Sequence, residues 1–382
     1  MKLFNRLNNI VTPFDLWTKR ANKKHPGIRV GWCSYFPPFS NGVAAATYFS
    51  VKELQKNPEV NLCGIPLNNR MDKSIFSGLS LAALGDKNLE AIIFFSLGLN
   101  FANILRRSKT KSIAWQTIHF GPERFKAERG LINQLKRATL VVALNRWAQN
   151  EYLKNGIERV EYAPHGVDTA YFVPISKTSS RPEILFVSRM HYWKGINVFL
   201  EMIPAVLSKI PECVFRMHAP PDKHSFYYQE IKETLKQARK KYKDNLVYED
   251  SWVDYLGIRD CYKNADILVF PSHCEGFGIP VIEALSCGIP CIVADTPPMN
   301  EIILDGITGF CLAPDKKNVH RYHGLSFPSP EALAEKAIYL LTNDAVREKM
   351  GKSGRERVKT EYELIRCMDK LVSCVKQVSK NE

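Results

Sequence analysis

Short apolar runs alternate with longer segments of mixed polarity along most of the chain. In the first half these runs predict strands at residues 28–35, 60–67, 90–96, 112–117, 139–144 and 160–164. Between them, residues 42–57 and 145–156 have the apolar spacing of helices, and the second ends at Gly156, a residue typical of helix C-termini. This alternation is typical of parallel α/β units.

The same pattern starts again after a polar segment rich in Pro and Ser at residues 174–182. Further strands are predicted at residues 183–188, 213–219, 245–250, 266–272, 290–295 and 309–314. The tail has the pattern of helices at residues 329–358 and 362–378. We therefore predict an α/β protein with two facing Rossmann-like, doubly wound domains around a cleft and a C-terminal helical tail.

The pattern also suggests where the domains divide. We expect a basic amphipathic N-terminal extension over residues 1–27 and a first domain over 28–175. A second domain is expected over residues 176–360, followed by a C-terminal helix over 361–382 that packs back on the first domain. A chain of 382 residues is long enough for two separate cores.

Composition and targeting signals favour the cytoplasm. No segment approaches the roughly 20 apolar residues that cross a bilayer. The first 20 residues lack the continuous apolar stretch of a secretory signal. The ten cysteines are scattered without metal-binding spacing, and several lie in apolar runs, as small buried side chains do in a reducing compartment.

The net charge of +14 is unevenly distributed. Residues 1–175 hold 24 Lys and Arg against 12 Asp and Glu, whereas the remainder holds 29 against 27. Near the N-terminus, apolar side chains lie at helical spacing beside basic ones: Leu7, Val11, Phe14 and Trp17. That composition suits a peripheral site on an anionic membrane surface, although Pro13 counts against one long helix. A solvated basic surface is the alternative, and nucleic-acid binding is not expected because no recognised motif accompanies the charge.

Two cations follow the strand predicted at residues 183–188. Arg189 comes directly after it, and Lys194 precedes Gly195 at the start of the next predicted helix. Cations beside the free N–H groups of a helix N-terminus form a pocket for an anion such as a diphosphate. Taken alone, the two residues also fit a solvated surface turn.

Two glutamates follow the strand predicted at residues 266–272. Glu275 lies on the loop, and Glu283 lies about one turn into the next predicted helix. Gly276 and Gly278 between them allow close backbone approach. Carboxylates at this edge accept hydrogen bonds from sugar or ribose hydroxyls. Each could instead be an ordinary loop or helix acid, so the pair points to a ligand only together with the two cations.

With these motifs the chain resembles the family-4 retaining glycosyltransferases of GT-B fold. The similar segments are FPSHCEGFGIPVIEALSCGIPCIVAD, SRMHYWKGINVFL, PHGVDTAYFVP and NEIILDGITGF. The first carries a Glu-x7-Glu signature, and the second carries an Arg-x4-Lys-Gly motif.

The resemblance implies a role for each matching residue. Arg189 and Lys194 would neutralise the donor diphosphate, and Glu283 would hold the nucleotide ribose. Sugar and phosphate oxygens would be bound by backbone groups at Gly276, Phe277, Gly278 and Gly42. The residues expected at the transferred sugar, and therefore the catalytic candidates, are Glu275 and His119.

The resemblance also implies the reaction. A sugar would pass from a nucleotide-diphosphate sugar to a hydroxyl with retention, without a further cofactor, and without a metal since no Asp-x-Asp motif occurs. The acceptor would bind the basic first domain, which suggests a lipid-linked or cell-envelope glycan. A non-catalytic GT-B subunit that binds a glycan or a partner protein is the alternative.

Three departures from the family pattern concern the backbone near these sites. Asn41-Gly42 replaces a Gly-Gly pair, His165 replaces an Asn, and Pro297-Pro298 replaces a Gly pair before Glu301. The last of these leaves the identity of the donor open.

Overall fold

The computed structural model describes residues 26–34, 50–66, 89–95, 110–116, 129–221, 225–251, 253, 257–319 and 325–380. These residues fall into two compact units. The first contains the described residues up to Gly166 and the segment from Leu364 onward, and the second contains Val167–Glu363.

A parallel sheet forms the centre of the first unit. Its described strands lie in the order β2-β1-β3-β4-β5-β6. They are β1 Ile28–Ser34, β2 Val60–Pro66, β3 Ala91–Phe95, β4 Lys111–Gln116, β5 Leu140–Ala143 and β6 Val160–Tyr162. Every residue of β3 and β5 is buried. Central strands of a parallel sheet therefore read as continuous apolar runs, which is the pattern that predicted them.

The first unit contains α1 Arg129–Leu135, which was not predicted, and α2 Arg146–Lys154 and the C-terminal helix Leu364–Lys380, which follow the predicted pattern. Residues 50–54, within the helix predicted at 42–57, are also helical. Before α2, the side-chain oxygen of Asn145 accepts the N–H of Ala148 at 2.7 Å, as an N-cap does. After α2, Gly156 has a φ of 77°, a value that glycine adopts without strain.

The C-terminal helix packs against β1, β3, β4 and β5 of the first unit. Its buried side chains recur every three or four residues: Leu364, Cys367, Met368, Leu371, Val372, Cys374, Val375 and Val378. A stripe of this spacing is one face of a helix. Full burial of one Leu or Val side chain contributes about 1.5–3 kcal/mol, so the stripe fixes this helix on the sheet.

The second unit contains another parallel sheet, with described strands in the order β12-β11-β10-β7-β8-β9. The strands are β7 Glu183–Val187, β8 Val214–His218, β9 Leu246–Glu249, β10 Ile267–Phe270, β11 Cys291–Ala294 and β12 Gly309–Leu312. From β7 the chain continues to β8 on one side, and β10 lies on the other side of β7. The strand order thus reverses between β7 and β10, the position where open α/β sheets bind ligands.

Helices surround the second sheet. They are α3 Ile196–Glu201, α4 Ile203–Leu207, α5 Phe226–Lys241, α6 Ile279–Ser286, α7 Met299–Ile302, α8 Pro330–Thr342 and α9 Asp344–Glu361. A short antiparallel pair, β13 Asp315–Val319 with β14 Ser326–Phe327, was not predicted, because β13 is mostly polar. The prediction of two doubly wound α/β domains with a helical C-terminal tail is confirmed. None of the described helices is long and apolar enough to cross a membrane.

The polar segment at residues 174–182 lies within the second unit, so the boundary between the units comes earlier than the predicted one at 175/176. Nζ of Lys177 lies 2.5 Å from Oδ2 of Asp266, and the N–H of Thr178 donates to the side chain of Asn264 at 2.8 Å. This segment is therefore anchored by side chains on the loop that leads into β10.

Candidate functional site

The loop after β7 carries the two predicted cations. Beyond Arg189 the chain forms a 3-10 helix, Tyr192–Lys194, and then Gly195 with a φ of 72°. A Cβ atom at Gly195 would lie 2.9 Å from Cγ of Pro271 and 3.0 Å from its carbonyl oxygen. Only glycine allows the loop after β7 to come this close to the loop after β10.

Hydrogen bonds join these two loops at Trp193. Its carbonyl oxygen accepts the hydroxyl of Ser272 at 3.1 Å and the backbone N–H of His273 at 2.9 Å. As a result, Nζ of Lys194 lies 2.5 Å from Oε1 of Glu275, with both side chains largely buried. Two residues 81 positions apart in the sequence thus form one ion pair at the point where the strand order reverses.

Arg189 adds a second positive charge to this pair. Burial of its guanidinium lowers the pKa of Arg189, and the nearby charge of Glu275 raises it in turn. More than a third of the residue remains exposed, so solvent weakens both effects. An arginine stays protonated in proteins, so two cations face one carboxylate here. The excess positive charge suits an anionic ligand.

The Gly-Phe-Gly turn after Glu275 is buried. Gly278 has a φ of 101° and precedes α6, and a Cβ atom there would collide with the side chain of Met299. The ring of Phe277 lies 5.9 Å from that of Tyr362. Gly276 is likewise buried. The turn therefore needs glycine at position 278 for both conformation and space.

Glu283 lies in α6 and is only 4% exposed. The hydroxyl of Tyr262 donates to its Oε2 at 2.7 Å. Burial raises the pKa of Glu283 to about 8, and the hydrogen bond from Tyr262 acts in the opposite direction. The carboxyl is thus held in one orientation by a partner that is itself buried.

Two of the predicted site residues, Gly42 and His119, lie outside the described residues, as do residues 1–25 of the N-terminal extension. The described candidates all belong to the second unit: Arg189, Lys194, Glu275, Gly276, Phe277, Gly278 and Glu283. Of these, the structure joins Lys194 to Glu275 directly and brings Glu283 into contact with Tyr262.

Two of the departures from the family pattern lie among the described residues. His165 is buried in the first unit against the rings of Phe95 and Trp115, at 5.2 and 4.9 Å. Burial lowers the pKa of His165 to about 3, so this side chain is a neutral packing residue. Pro297 and Pro298, joined by a cis peptide bond, come directly before α7.

Tyr262 is the residue that sequence reasoning missed. It lies in the segment YKNAD, directly ahead of β10, and its only sequence signal was its place beside the Glu-x7-Glu segment. Most of its sequence neighbours, such as Asp260, Lys263 and Asn264, are charged or polar, so the local pattern does not indicate a buried side chain. Only the fold shows that its hydroxyl faces a carboxylate 21 positions later.

A family model matches most of the second unit. The family model of glycosyl transferases group 1 matches residues 168–357. That range contains every candidate described above, from Arg189 to Glu283. The narrower assignment to family 4 is not resolved by this match.

Individual relatives support the same family at low identity. The D-inositol 3-phosphate glycosyltransferase of Arthrobacter sp. (strain FB24) is 24% identical over 200 residues, 49% of this chain and 47% of that protein. The lipopolysaccharide core biosynthesis mannosyltransferase LpsB of Rhizobium meliloti is 28% identical over 167 residues, 40% of this chain and 45% of that protein. The chain therefore spans about half the length of the curated relatives it matches.

A solved structure resembles almost the whole chain. Sucrose-phosphate synthase from Thermosynechococcus elongatus superposes with a TM-score of 0.73 at 16% identity, covering 92% of this chain and 99% of that one. At this identity the likeness shows the fold alone, and it confirms the predicted GT-B fold class.

Proposed function

Because residues 168–357 form a domain of the glycosyl transferases group 1 family, we propose that the chain transfers a sugar from a nucleotide-diphosphate sugar to a hydroxyl acceptor. Transfer proceeds with retention at the anomeric carbon and without a metal ion at the leaving group. The observation that carries this proposal is the charge cluster of Arg189, Lys194 and Glu275 where the strand order reverses.

The leaving group explains why the cluster is positive. When the bond between the anomeric carbon and the phosphate oxygen breaks, negative charge grows on the diphosphate. Cations already in place at that point stabilise the transition state without reorganising. Lys194 is held by its ion pair with Glu275, and Arg189 lies in the field of the same carboxylate.

Glu275 acts at the sugar end of the donor. The acceptor oxygen bonds to the anomeric carbon from the face that the diphosphate leaves, and its proton passes to a phosphate oxygen. The carboxylate orients the sugar and stabilises its positive charge without bonding to it, and His119 orients sugar hydroxyls. A covalent route with a carboxylate nucleophile would also retain configuration.

Glu283 acts at the ribose end. Tyr262 already donates to Oε2 of Glu283, whereas Oε1 accepts no hydrogen bond from the described residues. Oε1 is therefore the oxygen that would accept a ribose hydroxyl. This geometry supports the role that the family resemblance implied.

The acceptor is proposed to be anionic or lipid-linked and to meet the basic half of the chain. Residues 1–175 carry twice as many basic as acidic side chains. The names of two relatives, for an inositol phosphate and for lipopolysaccharide core, point to acceptors of this kind. In this proposal the protein works at the periphery of a membrane.

A donor screen tests the proposal. The purified chain is first screened by thermal shift against UDP-, GDP- and ADP-sugars, and release of nucleoside diphosphate is then measured for each sugar that binds. We expect one donor class to stabilise the protein and to turn over, and Glu275→Gln to remove turnover while keeping binding. Absence of turnover for every sugar, with or without binding, would contradict the proposal and favour the non-catalytic alternative.

A further inference from the structure

Three potential metal ligands meet at the carboxyl edge of the second sheet, in a group separate from the proposed donor residues. His218 ends β8, Glu249 ends β9, and Cys261 lies in a 3-10 helix, Ile258–Tyr262. One ligand atom from each lies within 4.8 Å of those of the other two. Imidazole nitrogen, carboxylate oxygen and thiolate sulfur are the ligands that Zn²⁺ takes in proteins.

The fold brings these residues together although they lie far apart in the sequence. In the register of β8 and β9, His218 is the direct partner of Glu249. Nδ1 of His218 lies 3.3 Å from Oε2 of Glu249, and the histidine is 3% exposed. The 3-10 helix packs against β7, the neighbour of β8, and this contact brings the buried Cys261 to the pair.

Arg216 fixes the orientation of Glu249 by a hydrogen bond, as neighbouring groups often do for carboxylates that bind metals. Its Nη1 donates to Oε1 of Glu249 at 2.6 Å, while its Nε and Nη2 bond both carboxyl oxygens of Glu183 at 2.9 and 3.1 Å. Glu183 thereby balances the charge of Arg216, and Oε2 of Glu249 stays directed at His218. Carboxylates and imidazoles that bind metals are usually fixed by such outer hydrogen bonds.

Both acidic groups have the chemistry of ligands. The carboxylate of Glu249 is an anionic oxygen ligand, and Cys261 supplies a buried sulfur atom. A bound cation removes the proton from a coordinating thiol, which converts it to a thiolate ligand.

We propose that His218, Glu249 and Cys261 bind one divalent transition-metal ion of the zinc type, with water at the remaining position. The ion has a structural role, because it ties the ends of β8 and β9 to the 3-10 helix. Tyr262, the residue after Cys261, donates to Glu283. Metal binding therefore steadies the tyrosine that orients the ribose-binding glutamate, without touching the leaving group.

Cobalt is the probe that tests this site, because Co²⁺ bound to a thiolate gives a charge-transfer absorption band. The reduced full chain is titrated with Co²⁺, and we expect the band to saturate at one equivalent per chain. Cys261→Ser should abolish the band. Cys287→Ser should retain it, because Cys287 is another cysteine of the second unit that is equally buried but lies outside the cluster. Loss of a group that hydrogen-bonds a metal ligand typically weakens metal binding about 10–100-fold, so His218→Ala, which removes a ligand itself, should weaken it at least that much.

A second measurement, the effect of Zn²⁺ on thermal stability, tests the site in the wild-type chain even if a variant fails to fold. Zn²⁺ should raise the thermal midpoint of the wild-type chain but not that of His218→Ala. Absence of the cobalt band in the wild-type chain would overturn the proposal and leave the cluster as a satisfied ion-pair network. A band that persists in Cys261→Ser would place the metal at other cysteines, and would overturn it equally.

Discussion

The hydroxyl of Tyr262 donates a 2.7 Å hydrogen bond to Oε2 of Glu283, and both side chains are buried in the second unit. One residue comes from the 3-10 helix before β10, and the other from α6 after it. Tyr262 hydrogen-bonds no other side chain among the described residues, although its hydroxyl also lies 3.4 Å from the carbonyl oxygen of Pro280 and its ring 6.1 Å from that of Phe172. It is a positioning residue for the glutamate that we assign to the ribose.

Replacement of this hydroxyl should weaken donor binding. Tyr262→Phe removes one hydrogen bond, with a net contribution of about 1 kcal/mol, which corresponds to roughly a fivefold higher donor KM. The turnover number should change little, because the leaving group is untouched. Steady-state kinetics with the donor varied will show the split.

Ser286→Ala is a suitable control for that change. Its hydroxyl donates to the carbonyl of Phe172 at 2.6 Å, and it lies in the same helix as Glu283. This variant should lose thermal stability to a similar extent but keep the donor KM. An equal rise of KM in both variants would show that the tyrosine acts only through stability.

Stability should fall as the pH rises through the range in which Glu283 ionises. Burial raises the pKa of Glu283 from 4.5 to about 8, so from about pH 4.5 to 8 the folded chain keeps a proton that the unfolded chain has lost. A state that binds more protons is favoured at low pH, and each pKa unit corresponds to roughly 1.4 kcal/mol. Wild-type thermal midpoints should therefore drop between pH 5 and 8 relative to those of Glu283→Gln. Parallel curves for the two proteins would contradict the raised pKa.

The same group should make donor binding depend on pH. If the carboxylate form accepts ribose hydroxyls, binding favours loss of the proton, and the donor KM should decrease as the pH rises toward 8. Glu283→Gln should have a higher KM with no such trend. A wild-type KM that is constant from pH 6 to 8 would argue that Glu283 binds in its protonated form.

Loss of the Lys194 charge should affect the chemical step most. Lys194→Met removes a preorganised cation at the leaving group, and we expect kcat/KM to fall on the order of 100- to 1,000-fold. Lys177→Met is the matched control, because Lys177 also forms a 2.5 Å ion pair with a carboxylate of the second unit, Asp266, but away from the cluster. A comparable loss of activity in both variants would show a general effect of charge or folding.

Sequence patterns predicted the strands of both parallel sheets, for a physical reason. Central strands such as β3 and β10 are buried throughout, so each reads as an unbroken apolar run. The pair β13 and β14 was missed because the polar sequence of β13 gives no such signal. Its position depends on contacts of Phe327 and Ser326 with the second unit, for instance the Ser326 carbonyl 2.8 Å from Nδ1 of His273.

The candidate site was predicted less completely. The position of Arg189 and Glu275 after strands could be inferred, because parallel strands bring their carboxyl ends to one edge. The ion pair of Lys194 with Glu275, and the hydrogen bond of Tyr262 with Glu283, depend on which strands are neighbours. A single sequence does not show which strands are neighbours, so these contacts become visible only when the strand order is known. The cluster of His218, Glu249 and Cys261 was missed for the same reason.

The basic N-terminal region should decide membrane association. In a flotation assay with anionic and neutral vesicles, the full chain should float with the anionic ones, and deletion of residues 1–27 should reduce the floated fraction. Added salt should have the same effect, since exposed charges are screened within about 8 Å at physiological ionic strength. Equal recovery of both proteins in the unbound fraction would favour the solvated basic surface.

Two glycines allow the stability cost of a left-handed backbone to be measured apart from the cost of a steric collision. Gly278 and Gly306 both have positive φ values, of 101° and 70°, but a Cβ atom would collide with Met299 at the first and meets nothing within 4 Å at the second. Gly306→Ala should therefore lose only the roughly 1–2 kcal/mol of a left-handed residue. Gly278→Ala should lose more stability than Gly306→Ala. The double variant Gly278→Ala with Met299→Ala should lose less stability than the sum of the losses in the two single variants. Denaturant unfolding of the four variants measures this; additive losses would show that Met299 does not restrict position 278.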